Sequence, residues 1–94
     1  MNASTDPCIA LLSDRLEMDF LVPALRDEFP GSDLRTQDRL GRLEDIDVAI
    51  CWYPPTGLLA TLPRLRLIQS IGAGVDHILA DPWLPKVPVC RIID

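Results

Sequence analysis

The run Cys8-Ile9-Ala10-Leu11-Leu12 contains no polar residue. Five residues are too few for a buried helix, and a strand with one face in water would alternate apolar with polar side chains. The run therefore reads as a parallel strand covered on both faces, which commits the chain to a sheet between layers of helix. Residues 47–52, 65–71 and 87–93 are further largely apolar runs of strand length. Pro54-Pro55 must end the first of these, because neither proline can donate to a ladder.

Between the first two runs the periodicity turns helical. Met18, Leu21, Leu25 and Phe29, widened by Val22, share one face of a helix that Asp14 is expected to cap, with Glu17 completing a capping box. Pro23 conflicts with that helix, since an interior proline costs about 3 kcal/mol. The helix must therefore bend there, or its regular part begins only a few residues earlier. Pro30-Gly31 stops it, residues 32–37 read as a short edge strand, and residues 38–44 as an exposed turn or loop. Residues 57–62 suit a short helix, residues 75–79 a second one, and Asp81-Pro82 ends it. Strands alternating with helices imply right-handed crossovers, so the expected class is α/β with a flavodoxin-like five-stranded parallel sheet of order 2-1-3-4-5. The helix layer is incomplete, for only about three helices are on offer where both faces need cover. Mean hydropathy of +0.16, with Trp52 and Trp83 in loops, implies a surface that missing chain or a partner covers.

Composition removes several classes of function. The chain has 94 residues, 48% apolar and 24% charged, which describes one globular domain or part of one and rules out disorder. A net charge of −5 would repel a phosphate backbone, and the eight arginines and Lys86 form no cluster, so nucleic acid is excluded as a partner. No apolar run approaches the roughly 18 residues of a membrane span, and the N-terminus has no leader pattern, which gives a cytoplasmic expectation without membrane contact. Cys8, Cys51 and Cys90 are odd in number, lack CxxC spacing and lie in or beside apolar runs, so they are expected as buried reduced thiols rather than metal ligands.

The candidate site is Gly72-Ala73-Gly74-Val75-Asp76, at the carboxyl end of one strand and the start of a helix. Backbone N–H groups there lack partners inside the helix, and the helix N-terminus favours an anion. Ser13-Asp14 and Trp52-Tyr53-Pro54 should reach the same edge, where parallel sheets bind ligands. The loop is no dinucleotide fingerprint, because His77 stands where GxGxxG needs its third glycine. Asp76 and His77 do not make an acid/base pair either, since adjacent helical residues point about 100° apart.

Residues 48–59, with Trp52 beside Pro54-Pro55, followed by residues 62–68 and 72–79, resemble the N-terminal region of D-isomer-specific 2-hydroxyacid dehydrogenases. The tryptophan near the proline pair resembles the glyoxylate/hydroxypyruvate reductase A branch. The resemblance implies that residues 1–94 are the N-terminal portion of the substrate-binding domain of a two-domain enzyme. That enzyme would reduce small 2-oxo acids such as glyoxylate or hydroxypyruvate with NADPH or NADH. The Rossmann domain, the catalytic residues it carries and a C-terminal helix would lie outside this chain. No catalytic, cofactor or metal residue is then expected here, and the chain alone should hold no NAD(P) and be inactive. By the same resemblance the N–H groups of Ala73 and Gly74 grip the substrate carboxylate, Gly72 and Val75 shape the turn, and Trp52 walls the carbon chain. The glycines would serve by close approach and positive φ. Partners would be the missing cofactor domain, or a second copy through exposed apolar surface. The alternative is a free-standing flavodoxin-like module that binds small acids, signals or mediates interactions. A receiver domain would need an acid where Cys51-Trp52 stand and a lysine after the last strand, whereas Lys86 precedes it. A truncated lobe retained as a small-acid-binding protein also remains open.

Overall fold

The computed structural model describes residues 6–91. Five strands, β1 (Cys8–Leu12), β2 (Asp33–Thr36), β3 (Val48–Cys51), β4 (Leu67–Ser70) and β5 (Val89–Cys90), form one all-parallel sheet in the order 2-1-3-4-5. The flavodoxin-like order expected from the apolar runs is thus the order observed. Every residue of β1 is buried, and its side chains divide between two cores by the two-residue period of a strand. Cys8, Ala10 and Leu12 join Ile46, Ala49, Cys51, Leu59, Ile68 and Ile78 on one face. Ile9 and Leu11 join Met18 on the other, with Leu21, Val22 and Leu25 packed around them.

The helix after β1 resolves the conflict at Pro23. A 3-10 turn, Met18–Leu21, runs into α1 (Val22–Glu28), and Pro23 falls within the first two positions of α1, where no N–H is required. The expected Asp14 cap and Glu17 box do not form. Instead the Ser13 hydroxyl accepts the N–H groups of Arg15 and Leu16 at 3.0 and 3.2 Å, while the Asp14 N–H goes to the Tyr53 carbonyl at 2.9 Å. Phe29 ends α1 in an exposed position, outside the stripe expected for it. Residues 57–62 supply a 3-10 turn, Leu59–Thr61, rather than a regular helix, and α2 (Asp76–Leu79) is a single turn. The helix layer is therefore thin. Val48, Ile50 and Leu67 stay only half-buried on the second face, although a parallel sheet ordinarily hides such positions.

That uncovered face explains a second departure. Cys90 pairs in register with Gln69, on the face opposite buried Ile68, and is exposed, so only Cys8 and Cys51 are the buried thiols expected. The strand starts only at Val89 because Pro88, directly before it, has no N–H to donate; Ile92 and Ile93, over which it was expected to continue, lie outside the described residues. No helix among the described residues is long and apolar enough to cross a membrane.

The segment after β2 is organised by one side chain that the sequence pattern did not single out. Arg35 meets Asp33 at 2.8 Å and Asp45 at 3.1 Å and donates to the carbonyls of Leu40 and Arg42 at 2.8 and 3.1 Å. The two carbonyls flank Gly41, whose φ of 62° is the left-handed conformation that glycine adopts without strain. The hydrogen bond to Asp33 raises the guanidinium pKa above its ordinary value despite partial burial. Arg35→Met keeps the aliphatic bulk and removes the bonds to all four partners. Because the carboxylates remain partly hydrated, the expected loss is about 2 kcal/mol, read as a lower urea midpoint. A midpoint equal to wild type would show that the knot contributes nothing net.

Candidate substrate-binding edge

Three segments meet beyond the carboxyl ends of β1, β3 and β4, and backbone hydrogen bonds fix their order. The Trp52 N–H donates to the Leu12 carbonyl at 3.0 Å, Asp14 to Tyr53 at 2.9 Å, and Ile71 to Cys51 at 3.2 Å. Ser13-Asp14, Trp52-Tyr53 and the glycine loop therefore stand side by side, as the topology required.

Inside the loop the decisive group is Ser70, the last residue of β4 and fully buried. Its hydroxyl donates to the Gly74 carbonyl at 2.8 Å and accepts the Gly72 N–H at 3.2 Å, closing the turn on itself. Gly72 thus shapes the turn with its N–H already engaged. The N–H groups of Ala73, Gly74 and Val75 have no partner among the described residues. Ala73 and Gly74 are exposed, so these donors are open to a ligand. Val75 precedes α2, and its carbonyl accepts from Ile78 and Leu79 at 2.9 Å each.

Two expectations about the loop need correction. Neither Gly72 nor Gly74 adopts positive φ; the left-handed residue at this edge is Tyr53, at φ 53°. Gly72 is needed for space, because a Cβ there would lie 3.0 Å from Cζ3 of Trp52, whereas a Cβ on Gly74 would meet nothing within 4 Å. The helix contribution is also small. One turn has almost no macrodipole, and Asp76 in that turn is an acid, so an anion would be held by the loop's own N–H groups.

Trp52 is half-buried rather than a free loop residue, lying against Gly72 and edge-on to Tyr53 and His77 at 5.1 and 4.8 Å. Trp83 is exposed elsewhere, beside Gly57, where buried Asp81 accepts the N–H groups of Gly57 at 2.8 Å and Trp83 at 2.9 Å. His77 packs into the loop: its Nδ1 accepts the Tyr53 N–H at 3.0 Å and its Nε2 lies 3.2 Å from the Gly74 carbonyl. Its ring stacks on Tyr53 at 4.5 Å, and the Arg15 guanidinium lies 3.6 Å from the centre of the same tyrosine ring. Ser70 and Arg15 carry no motif, and Tyr53, expected at this edge, had no role assigned to it. The available signals were a serine within an apolar run and a histidine three residues beyond Gly74.

A depression of about 440 Å³ lies between the ends of β1 and β2, with Glu17, Asp19 and Asp38 in its lining. The Thr36 hydroxyl holds the Asp38 carboxyl below its ordinary pKa, so this hollow is acidic and unsuited to an anionic ligand. Chemically, the glycine loop offers a neutral set of donors for a carboxylate beside an indole. The described residues there do not fit a dinucleotide: His77 fills the place of the third glycine and turns back onto Gly74, and the Gly72 N–H is spent on Ser70.

No family model matches the sequence. Glyoxylate/hydroxypyruvate reductase A of Escherichia fergusonii is 35% identical over 79 residues, covering 78% of this chain and 25% of that protein. The D-isomer specific 2-hydroxyacid dehydrogenase of Xanthobacter autotrophicus Py2, solved with NADPH and MES, superposes with a TM-score of 0.84 at 34% identity, over 96% of this chain and 30% of that one. An NADPH-dependent glyoxylate/hydroxypyruvate reductase of Sinorhizobium meliloti, solved with NADP and sulfate, gives a TM-score of 0.74 at 32% identity, over 95% of this chain and 29% of that one. The chain therefore spans between 25% and 30% of the length of these relatives. Fold, strand order and sequence agree, and the chain belongs to the D-isomer-specific 2-hydroxyacid dehydrogenase family.

Proposed function

We propose that this chain is the substrate-binding lobe of a reductase acting on small 2-oxo acids such as glyoxylate or hydroxypyruvate, with the nicotinamide cofactor held by polypeptide outside residues 1–94. The observation that carries this reading is the pair of exposed N–H groups at Ala73 and Gly74, unpartnered among the described residues, on a loop that Ser70 holds shut. Charged acceptors bind such donors more strongly than neutral ones, so a carboxylate is the natural occupant. Trp52 beside Gly72 would exclude water from the ligand's short carbon chain. The cofactor, bound elsewhere, supplies the hydride; this chain supplies orientation. Reduction by NADPH is supported by the cofactors in the two solved relatives. Further polypeptide would also cover the half-buried residues of the second face.

The test is an amide-shift titration of the 94-residue protein with oxalate, an unreactive dicarboxylate of similar size. Saturable shifts centred on Ala73 and Gly74 are expected, with a dissociation constant on the order of 1 mM for so few contacts. In parallel, the chain with glyoxylate and NADPH should consume no cofactor. Shifts confined to other surfaces would end the carboxylate reading, and cofactor turnover by the pure chain would end the division of labour.

A further inference from the structure

His77 touches both halves of the binding edge with opposite hydrogen-bonding character. Its Nδ1 accepts a hydrogen bond from a backbone N–H, so that nitrogen carries no proton of its own; a neutral ring must then carry its proton on Nε2, the atom 3.2 Å from the Gly74 carbonyl. The Gly74 oxygen consequently receives two donors, Ser70 Oγ at 2.8 Å and His77 Nε2, which occupy both of its lone pairs. A trans peptide is planar, with its N–H directed opposite to its C=O. Tying the Gly74 carbonyl to Ser70 and His77 therefore turns the Val75 N–H to the other side, the one without a partner among the described residues.

The other end of the ring explains an oddity of backbone. Tyr53 sits at φ 53°, a conformation that a residue with a Cβ adopts only when its surroundings demand it. Its N–H is bonded to His77 Nδ1, and its ring is stacked on the imidazole. The strained residue after β3 and the glycine loop after β4 are joined through one side chain.

We propose that His77 is a positioning residue: it fixes the Gly74-Val75 peptide so that the Val75 N–H joins those of Ala73 and Gly74 as a third donor to the substrate carboxylate. The inference rests on the carboxylate reading above. It gives His77 no proton to transfer, and it ties the grip to the neutral imidazole with its proton on Nε2.

Three substitutions separate the ring's functions. His77→Gln can reproduce the donor to Gly74, His77→Asn the acceptor for Tyr53, and His77→Phe only the stacking shape. In the wild-type protein, long-range nitrogen correlation spectra should show the proton on Nε2, and oxalate should shift the Val75 amide together with those of Ala73 and Gly74. His77→Phe and His77→Asn should bind oxalate about tenfold more weakly, the equivalent of one lost hydrogen-bond contribution, while His77→Gln stays within about threefold. Should the phenylalanine variant fail to fold, the glutamine and asparagine variants still decide the matter. A proton on Nδ1, an unmoved Val75 amide, or equal affinity in the glutamine and asparagine variants would overturn the proposal. Absence of oxalate binding to the wild type would instead overturn the carboxylate reading, and the tautomer would then report separately on whether the clamp exists.

Discussion

Replacing Gly74 by valine is expected to abolish carboxylate binding and leave the fold standing, while replacing Gly72 by alanine does the reverse. A side chain on Gly74 meets nothing within 4 Å and imposes no backbone strain, since this glycine is not left-handed. Its branched methyl groups would occupy the space in front of the Ala73 and Gly74 N–H groups. Losing two bonds to a charged acceptor at about 1.5 kcal/mol each weakens oxalate binding about 100-fold, and unfolding in urea should move by less than about 0.5 kcal/mol. At Gly72 the added carbon would lie 3.0 Å from Trp52 Cζ3, so the indole must shift. That ring rests edge-on against Tyr53 and His77, and the displacement reaches packed neighbours at a cost of about 1 to 2 kcal/mol. A Gly74→Val protein that binds oxalate like wild type would remove the loop from the site. A Gly72→Ala protein as stable as wild type would show that Trp52 leans on nothing.

The contrast between these glycines shows where sequence reasoning reached its limit. The loop's location was legible because topology alone brings the ends of β1, β3 and β4 to one edge, and topology follows from where the apolar runs fall. The reason for each glycine was not legible, for it depends on where the Trp52 ring lies, a tertiary fact. Ser70 carries no signal for a similar cause, and His77, readable in the sequence only as no catalytic partner of Asp76, shows nothing there of its bonds to Tyr53 and Gly74: both side chains bond to backbone atoms at this edge, and such bonds leave no periodicity in the sequence. The same holds for Arg35, whose four partners are spread over residues 33–45 and are brought together only by the turn at Gly41.

Local signals misled in the opposite direction at the first helix. Asp14 and Glu17 have capping-box spacing, yet the Asp14 N–H pairs with Tyr53 across the sheet edge, and the hydroxyl of Ser13 serves the turn instead. Tertiary hydrogen bonds outcompeted a local pattern worth about 1 kcal/mol. Pro23 was the better guide, since its missing N–H allows only the start of a regular helix. The uncovered second face likewise decided the fate of Cys90, which sequence hydrophobicity alone assigned to the interior.

Alkaline unfolding should begin earlier in this protein than its other groups would require, because two buried thiols cannot ionise in place. Burial pushes Cys51 from its ordinary value of 9.0 up to about 12 and Cys8 up to about 11, the latter partly offset by Arg35 and reinforced by Asp33, Asp47 and Asp45. Below pH 9 both thiols hold their protons whether the chain is folded or not, and they add no pH dependence. Above pH 9 the unfolded chain releases them and the folded chain does not, so stability falls as pH rises, by about 1.4 kcal/mol per pH unit for each thiol. The fall from Cys8 should level off near pH 11 and that from Cys51 near pH 12. Cys51→Ala removes the larger share: it should be less stable than wild type by about 1 kcal/mol at pH 7, yet lose less between pH 9 and 11, so that the two urea-midpoint curves converge. Alkylation gives an independent reading of the same burial, for iodoacetamide at pH 8 should modify exposed Cys90 while sparing Cys8 and Cys51 in the folded protein. Parallel midpoint curves for wild type and Cys51→Ala, or equal labelling of all three thiols, would mean that the core around β3 opens far more readily than its packing implies.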